Sequence, residues 1–256
     1  MANLTINTDV CIGCGMCTKE CPCRVLKVEG GKALVDEKQS PNCMSCGHCQ
    51  SICKVGAISL FEQKCEPLPD EHTSVIGAIK TRRSVRKWKG AIPNEELKEM
   101  INLIKFAPSA CNYRPIKFMV INRPKLTEVL THLAGRAANL ETTPAIFRPV
   151  CAYQAKVDII GRDAPHMIIA YADDQHKEFA NDDATIMLAE LELALVSKGY
   201  GSFWCGFMKV LLKDPYAMEY IGLKGQHCYG CMGMGIPNIT YHHLVERKDV
   251  DITFLE

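Results

Sequence analysis

The 256-residue sequence contains no apolar run approaching the roughly eighteen residues that a membrane-spanning helix needs. It has no block of Lys or Arg either. Thirty basic residues stand against twenty-nine acidic ones, for a formal charge of +1, which disfavours tracking of a phosphate backbone or an anionic lipid surface. The first residues, MANLTINTDVCIGC, lack the basic segment and apolar stretch of an export signal. No G-x-G-x-x-G follows any predicted strand, so a dedicated Rossmann nicotinamide site is not supported. The expectation is a soluble cytoplasmic protein with no nucleic acid partner and no membrane partner.

Cysteine is what the chain has in excess, with fifteen residues. A disulfide framework suits short secreted chains, whereas here the cysteines crowd at spacings of three and four, as metal ligands do. Cys11, Cys14, Cys17 and Cys21 recur thirty-two residues later as Cys43, Cys46, Cys49 and Cys53. Both copies read C-x2-C-x2-C-x3-C. At that spacing the first three sulfurs reach three corners of one cubane, and the fourth is carried away to the other cluster. The expected ligand sets are therefore Cys11, Cys14, Cys17 and Cys53 for one [4Fe–4S] cluster, and Cys43, Cys46, Cys49 and Cys21 for the second. Zinc ribbons use C-x2-C pairs and have no need of a third cysteine in each run. The short apolar tails RVLKV and AISLF read as strands over the clusters. Residues 1–62 resemble the bacterial two-cluster ferredoxins. Pro22 follows the first run, but Lys54 stands at the matching place after the second. Cys23 and Cys65 lie outside both runs and read as small partly buried hydrophobes.

The segment EQKCEPLPDEHTS, residues 62–74, carries two prolines and no apolar periodicity, and marks a boundary. The first domain is placed at 1–65 and the second at 73–256. Beyond the boundary, longer helices alternate with strands. IPNEELKEMINLIKFAPSA offers Asn94 as a cap and Leu97, Met100, Ile101 and Ile104 on one face, in a helix that ends before Pro108. IKFMVIN and HMIIAYAD read as buried strands, and PKLTEVLTHLAGRAANLE as a second amphipathic helix. DDATIMLAELELALVSKGYG is apolar on nearly every face, as expected of a helix buried in a large core or under a partner subunit.

TRRSVRKW, residues 81–88, can form a fork of donors for a phosphate, or simply a solvated basic surface. APSACNYRP follows the capped helix, GYGSFWCGF the apolar one, and GCMGMGIP runs into a tail carrying Arg247. In that order and at those intervals, these stretches resemble the FMN-dependent nitroreductases over residues 73–256. The resemblance implies an α+β homodimer, with a small ferredoxin-like domain ahead of it. It implies that Arg82, Arg83, Ser84 and Arg247 bind the FMN phosphate and that Arg86 lies beside flavin N1 and O2. It further implies that Pro108, Ser109 and Asn112 reach the flavin from the second subunit, and that the backbone of Trp204, Cys205 and Gly206 lies near N5 and O4. Arg114 stands where the family often has Gln, and Cys111 shares its loop. Cys228 and Cys231 form a C-x2-C in a glycine-rich apolar run that reads as a buried strand with no other ligand pair nearby, so they are taken as core thiols.

Together these features imply a reductase in which two clusters pass single electrons to FMN for two-electron reduction of a nitroaromatic, quinone or activated alkene. An external donor such as ferredoxin or flavodoxin is expected. Two alternatives stay open: a subunit that relays charge to a protein partner, and a flavin dehydrogenase or dehalogenase on the same fold. No catalytic residue can be named from the sequence.

Overall fold

The computed structural model describes residues 4–60, 74–154 and 157–255. Cys65 and nearly all of the expected linker lie outside the described residues. The chain divides into two compact units, Met1–Asp70 together with Thr240–Glu256, and Glu71–Ile239. The last seventeen residues therefore belong with the N-terminal unit, although the sequence reading had placed them in the second domain.

In the first unit, β1 (Leu4–Ile6) has the antiparallel partner Ile58–Leu60, which pairs Leu4 with Leu60 and Ile6 with Ile58. After β1 comes α1 (Met16–Glu20), then β2 (Leu26–Glu29) and β3 (Lys32–Val35), then α2 (His48–Ile52) and β4, the Ile58–Leu60 strand. The hairpin β2–β3 turns at Gly30 and Gly31, at φ 57 and 74. Two successive positive φ values are what a tight hairpin requires. The cysteine repeat is also a structural repeat. Each short helix starts directly after a left-handed glycine, Gly15 or Gly47, and ends at an extended cysteine, Cys21 or Cys53. The tail lies along α2: the His242 and His243 amides donate to the Ser51 carbonyl, and the Glu246 amide donates to Gln50 Oε1 at 3.1 Å.

In the second unit, α3 (Val75–Thr81), β5 (Trp88–Gly90), α4 (Asn94–Leu103), β6 (Lys117–Asn122), α5 (Arg123–Ala137), α6 (Arg148–Gln154) and β7 (His166–Ala172) precede α7 (Lys177–Ser197). After it come β8 (Gly201–Trp204), α8 (Gly206–Leu211), α9 (Pro215–Tyr220) and β9 (His227–Pro237). The sheet runs β5–β9–β7–β6, with β8 also paired to β9. One face packs on α5, α8 and α9 through Leu126, Leu130, Met208 and Met218. The other packs on α4 and α7 through Leu97, Met100, Leu188 and Leu191. This is an α+β architecture of a sheet between helical layers.

The periodicity of α4 placed Leu97, Met100 and Ile104 in the core. Its first helical residue is Asn94, preceded by Pro93, so Asn94 stands one place inside the helix and gives no side-chain cap. Helix α7 buries the apolar side chains of Ala180, Ala184, Leu188, Leu191 and Leu195 and the acids Asp183 and Glu192, while Phe179 and Ile186 remain 51% and 38% exposed. No described helix is long and apolar enough to cross a membrane.

Candidate functional site

In the first unit, Cys11, Cys14, Cys17 and Cys53 surround one small enclosed cavity. Cys21, Cys43, Cys46 and Cys49 surround another. The left-handed glycines make this possible by turning each run tightly enough for three sulfurs to face inward, while the helix that follows carries the fourth cysteine across to the other cavity. Backbone amides point at the sulfurs. Gly13 and Ala33 donate to Cys11 Sγ, each at 3.4 Å, Val25 donates to Cys21 Sγ at 3.4 Å, and Ala57 donates to Cys53 Sγ at 3.2 Å. The amides of Ala33 and Gly13 hold the Cys11 thiol below its ordinary range, as needed for a thiolate ligand.

Burial acts the opposite way on Cys17 and Cys49, pushing them up to about 11 and about 12, with neighbouring thiols adding to the effect. Such thiols become thiolates only where a cation compensates. Among the described residues, no three His, Cys, Asp or Glu side chains converge to hold a single ion. The sulfurs ring a space rather than a point, which fits a cubane and not a mononuclear zinc site. Cys23, read from sequence as a small hydrophobe, also lines the second cavity. Burial, then the thiols of Cys21, Cys46 and Cys43, raise it.

In the second unit, β8 delivers Trp204, Cys205 and Gly206 to a cleft of about 330 Å³, where they meet Arg86. Phe147, Phe203, Phe207 and Arg162 also line it; Phe203 and Phe207 lie within the GYGSFWCGF stretch, whereas no sequence motif pointed to Phe147 or Arg162. The Arg86 guanidinium lies 5.9 Å from the Phe203 ring centre. Burial and the charge of Arg86 both lower Arg162, partly offset by Asp158. Two guanidiniums lining one aromatic-walled cleft favour a flat apolar ligand with anionic character, and this donor set fits a flavin. Burial pushes the Cys205 thiol up to about 12, and its Sγ donates to the Ile160 carbonyl at 3.3 Å. It stays protonated.

The RRS stretch is more closed than its composition suggests. Arg83 is 7% exposed, and its Nη1 donates to the carbonyls of Lys80 and Arg82 at 2.9 and 2.7 Å. Ser84 forms an isolated bridge with Ser202. Arg82 Nε lies 3.5 Å from the buried carboxylate of Glu192, which also accepts from Trp204 Nε1 at 3.3 Å. Glu192, invisible as a site residue in the sequence, thus links Arg82 to the cleft wall.

Ser109 does not line that cleft. With Arg114 it borders a separate groove of about 410 Å³. Its loop is tightly wound, with Cys111, Asn112 and Arg114 at φ 49, 57 and 52, conformations that non-glycine residues adopt only when the surroundings hold them. The Ser109 hydroxyl accepts from the Arg114 amide at 3.1 Å, Arg114 Nε donates to Asn112 Oδ1 at 2.9 Å, and the Ala110 amide donates to Asp183. Pro108 opens the loop. Arg247 lies in the first unit, where its Nη1 and Nη2 donate to the carbonyls of Ser45 and Cys46 at 3.3 and 3.4 Å. The tail on α2 carries it there.

Residues 79–236 match the model of the Nitroreductase family, and residues 3–54 match that of a 4Fe-4S dicluster domain. A Methanothermobacter thermautotrophicus protein bearing the paired names NADH dehydrogenase and NAD(P)H nitroreductase is 30% identical over 136 residues. That alignment takes in 52% of this chain and 60% of the relative. A Methanocaldococcus jannaschii protein named as a ferredoxin is 34% identical over 59 residues, 22% of this chain and 92% of its own length. Among solved structures, a nitroreductase with bound FMN from Bacteroides fragilis matches with a TM-score of 0.58 at 23% identity, over 72% of this chain and 99% of that one. At that identity the likeness is one of fold.

Proposed function

The chain belongs to the nitroreductase family and carries a 4Fe-4S dicluster domain at its N-terminal end, and from that premise we propose that it is an FMN-dependent oxidoreductase fed by single electrons. It reduces a small acceptor such as a nitroaromatic, quinone or activated alkene, and works as a homodimer with an external donor such as ferredoxin or flavodoxin. Flavin supplies a two-electron store and iron–sulfur clusters supply one-electron carriers.

The observation that carries this reading is the aromatic cleft holding Arg86 and Arg162. Their charges favour an electron-rich ring system over water, and the phenylalanine walls exclude solvent from it. Glu192 orients Trp204 and Arg82 from behind the wall. Arg82 and Ser84 are the residues we assign to the flavin phosphate. The Pro108–Asn112 loop serves the partner's cleft in the homodimer, which agrees with its place apart from the cleft of its own chain.

The test uses the full chain, purified anaerobically, beside a Cys14→Ala, Cys46→Ala variant. Each is given one nitroaromatic acceptor and two reductants, reduced ferredoxin and a small chemical reductant. The variant is expected to lose turnover with ferredoxin and keep it with the chemical reductant. Equal loss with both would assign the N-terminal unit a structural role, and equal retention would leave the clusters without an input role.

A further inference from the structure

Strand β9 contains Cys228 and Cys231 three positions apart, and in a regular strand such residues point to opposite faces. The pairing with β7 is not regular. Cys228 stands opposite Tyr171, Gly230 opposite Ala170 and Cys231 opposite Ile169. Three steps along β9 therefore cover two along β7, and Tyr229 is the extra residue of a β-bulge. The bulge restores even parity, so both cysteines face the core beside α5 and α8, while Tyr229 packs on the opposite side. Gly230 lets Leu188 approach the strand closely beside the bulge, because a Cβ there would meet Leu188 Cδ1 at 2.5 Å.

The result is two sulfurs 3.4 Å apart. A disulfide needs about 2.05 Å, a closure of the order that side-chain rotation alone can make. The two sites differ in access. Cys231 is 2% exposed, whereas Cys228, one residue into the strand, is half-buried. The hydrogen bond from Cys231, helped by the Gly230 backbone and the charge of Lys209, outweighs burial and holds Cys228 below its ordinary value. Burial, and then its bond to Cys228, push Cys231 up. No metal reading competes: among the described residues no third ligand completes such a site, and the neighbouring Cys205 thiol is engaged with Ile160.

We propose that Cys228 and Cys231 form a reversible dithiol–disulfide pair, entered at Cys228, that exchanges with low-molecular-weight disulfides. The Cys228 thiolate attacks one sulfur of R–S–S–R, the R–S–S–R bond breaks, and the first RS⁻ leaves and takes up a proton as RSH. The Cys231 thiol then loses its proton and attacks the Cys228 sulfur of the mixed disulfide. The Cys228–Cys231 bond forms as the second RSH departs. Two protein thiols are oxidised and one small disulfide is reduced to two thiols, and excess RSH drives the reverse exchange.

The experiment equilibrates the anaerobic full-length holoprotein with hydroxyethyl disulfide and 2-mercaptoethanol at a series of ratios, then quenches, alkylates and maps peptides by mass. Trypsin releases Gly225–Arg247, which contains Cys228 and Cys231 and no other cysteine. The expected result is a reversible conversion of that peptide from its doubly alkylated form to one lacking two hydrogens and unalkylated. Cys231→Ser should accumulate the mercaptoethanol adduct on Cys228, and Cys228→Ser should resist adduct formation at Cys231. The wild-type titration stands alone if either variant fails to fold. A wild-type peptide alkylated at both positions at every ratio would overturn the proposal. So would a cross-link from either cysteine to one elsewhere in the chain, or equal adduct formation in the two variants.

Discussion

Replacing Asp158 by Asn tests how the cleft is held. The carboxylate is 9% exposed and lies just before Ile159, Ile160 and Arg162 on the cleft wall. Its Oδ2 accepts from Arg123 Nη1 at 2.5 Å and from the Asp163 amide at 3.0 Å. Its Oδ1 accepts from Gln154 Nε2 and from the Gly161 amide, each at 2.7 Å. Whichever way the new amide is turned, its NH2 faces two donors. One orientation loses a charge-assisted bond and a neutral one, and either leaves buried donors unsatisfied, so the expected loss is about 3–4 kcal/mol. For a chain of this size that is roughly 6–16 °C in melting temperature.

Both tryptophans, Trp88 and Trp204, lie in the second unit, and Trp88 Nε1 donates to the Arg162 carbonyl at 2.8 Å. Tryptophan fluorescence during anaerobic thermal unfolding therefore reports on this unit. The pH dependence provides a second check. Burial pushes the Asp158 carboxyl up, but Arg123, Gln154 and the two amides outweigh it and hold the group below the usual range. A depressed carboxylate stabilises fully above its unfolded pKa of about 3.9 and loses that contribution only as pH falls through the lower folded value. The gap between wild type and variant should stay flat from pH 7 to 5 and close only below the ordinary aspartate range. A gap under about 1 kcal/mol, or one that closes between pH 7 and 5, would refute the assignment.

Cys21→Ala should remove the cluster held by the second cysteine run and leave that of the first, read by iron content and low-temperature electron paramagnetic resonance; loss confined to the first would reverse the ligand assignment. Arg82→Ala should weaken FMN binding about ten-fold or more, the equivalent of roughly 1.5–3 kcal/mol, by equilibrium dialysis, and undiminished affinity would move the phosphate elsewhere. Deleting Thr240–Glu256 should make the second-run cluster the first to be lost on anaerobic chelator challenge, and equal loss of both clusters would leave the tail without a selective role.

The parts of the fold legible in the sequence are those set by local rules. Cysteine spacing prescribes a tight loop whatever surrounds it, and the stride of Leu97, Met100 and Ile104 fixes the buried face of α4. The cleft was half legible. Trp204, Cys205 and Gly206 sit on one continuous segment, but Asp158, Arg162 and Glu192 come from places with no motif and meet only through tertiary packing. The inward turn of Arg83 was not legible, because a run of basic residues says nothing about backbone carbonyls within reach, here those of Lys80 and Arg82. The bulge at Tyr229 was illegible in principle. A period-two pattern assumes that both strands advance together, so it cannot bring two thiols three positions apart onto one face.

The tail makes unequal what the sequence repeat makes equal. The two cysteine runs match in spacing, in the glycine before each helix and in the amide that meets the fourth cysteine, so taken alone they predict equivalent sites. Yet α1 buries only Cys17, whereas all five residues of α2, from His48 to Ile52, are buried. The α2 segment HCQSI is no more apolar than a surface helix would be, so its burial must come from a covering element. The covering element is the stretch from His242 to Arg247. Gln50 and Ser51 satisfy its backbone amides, and Val245 sits so close that a Cβ on Gly47 would lie 2.1 Å from its Cγ1. Solvent exposure and nearby hydrogen bonds tune an iron–sulfur site. Cys14 is exposed while its counterpart Cys46 is partly covered, whereas Cys11 is buried and its counterpart Cys43 only partly so. Two runs alike in spacing thus differ in the cover over their helices, because a segment about 195 residues downstream packs on α2.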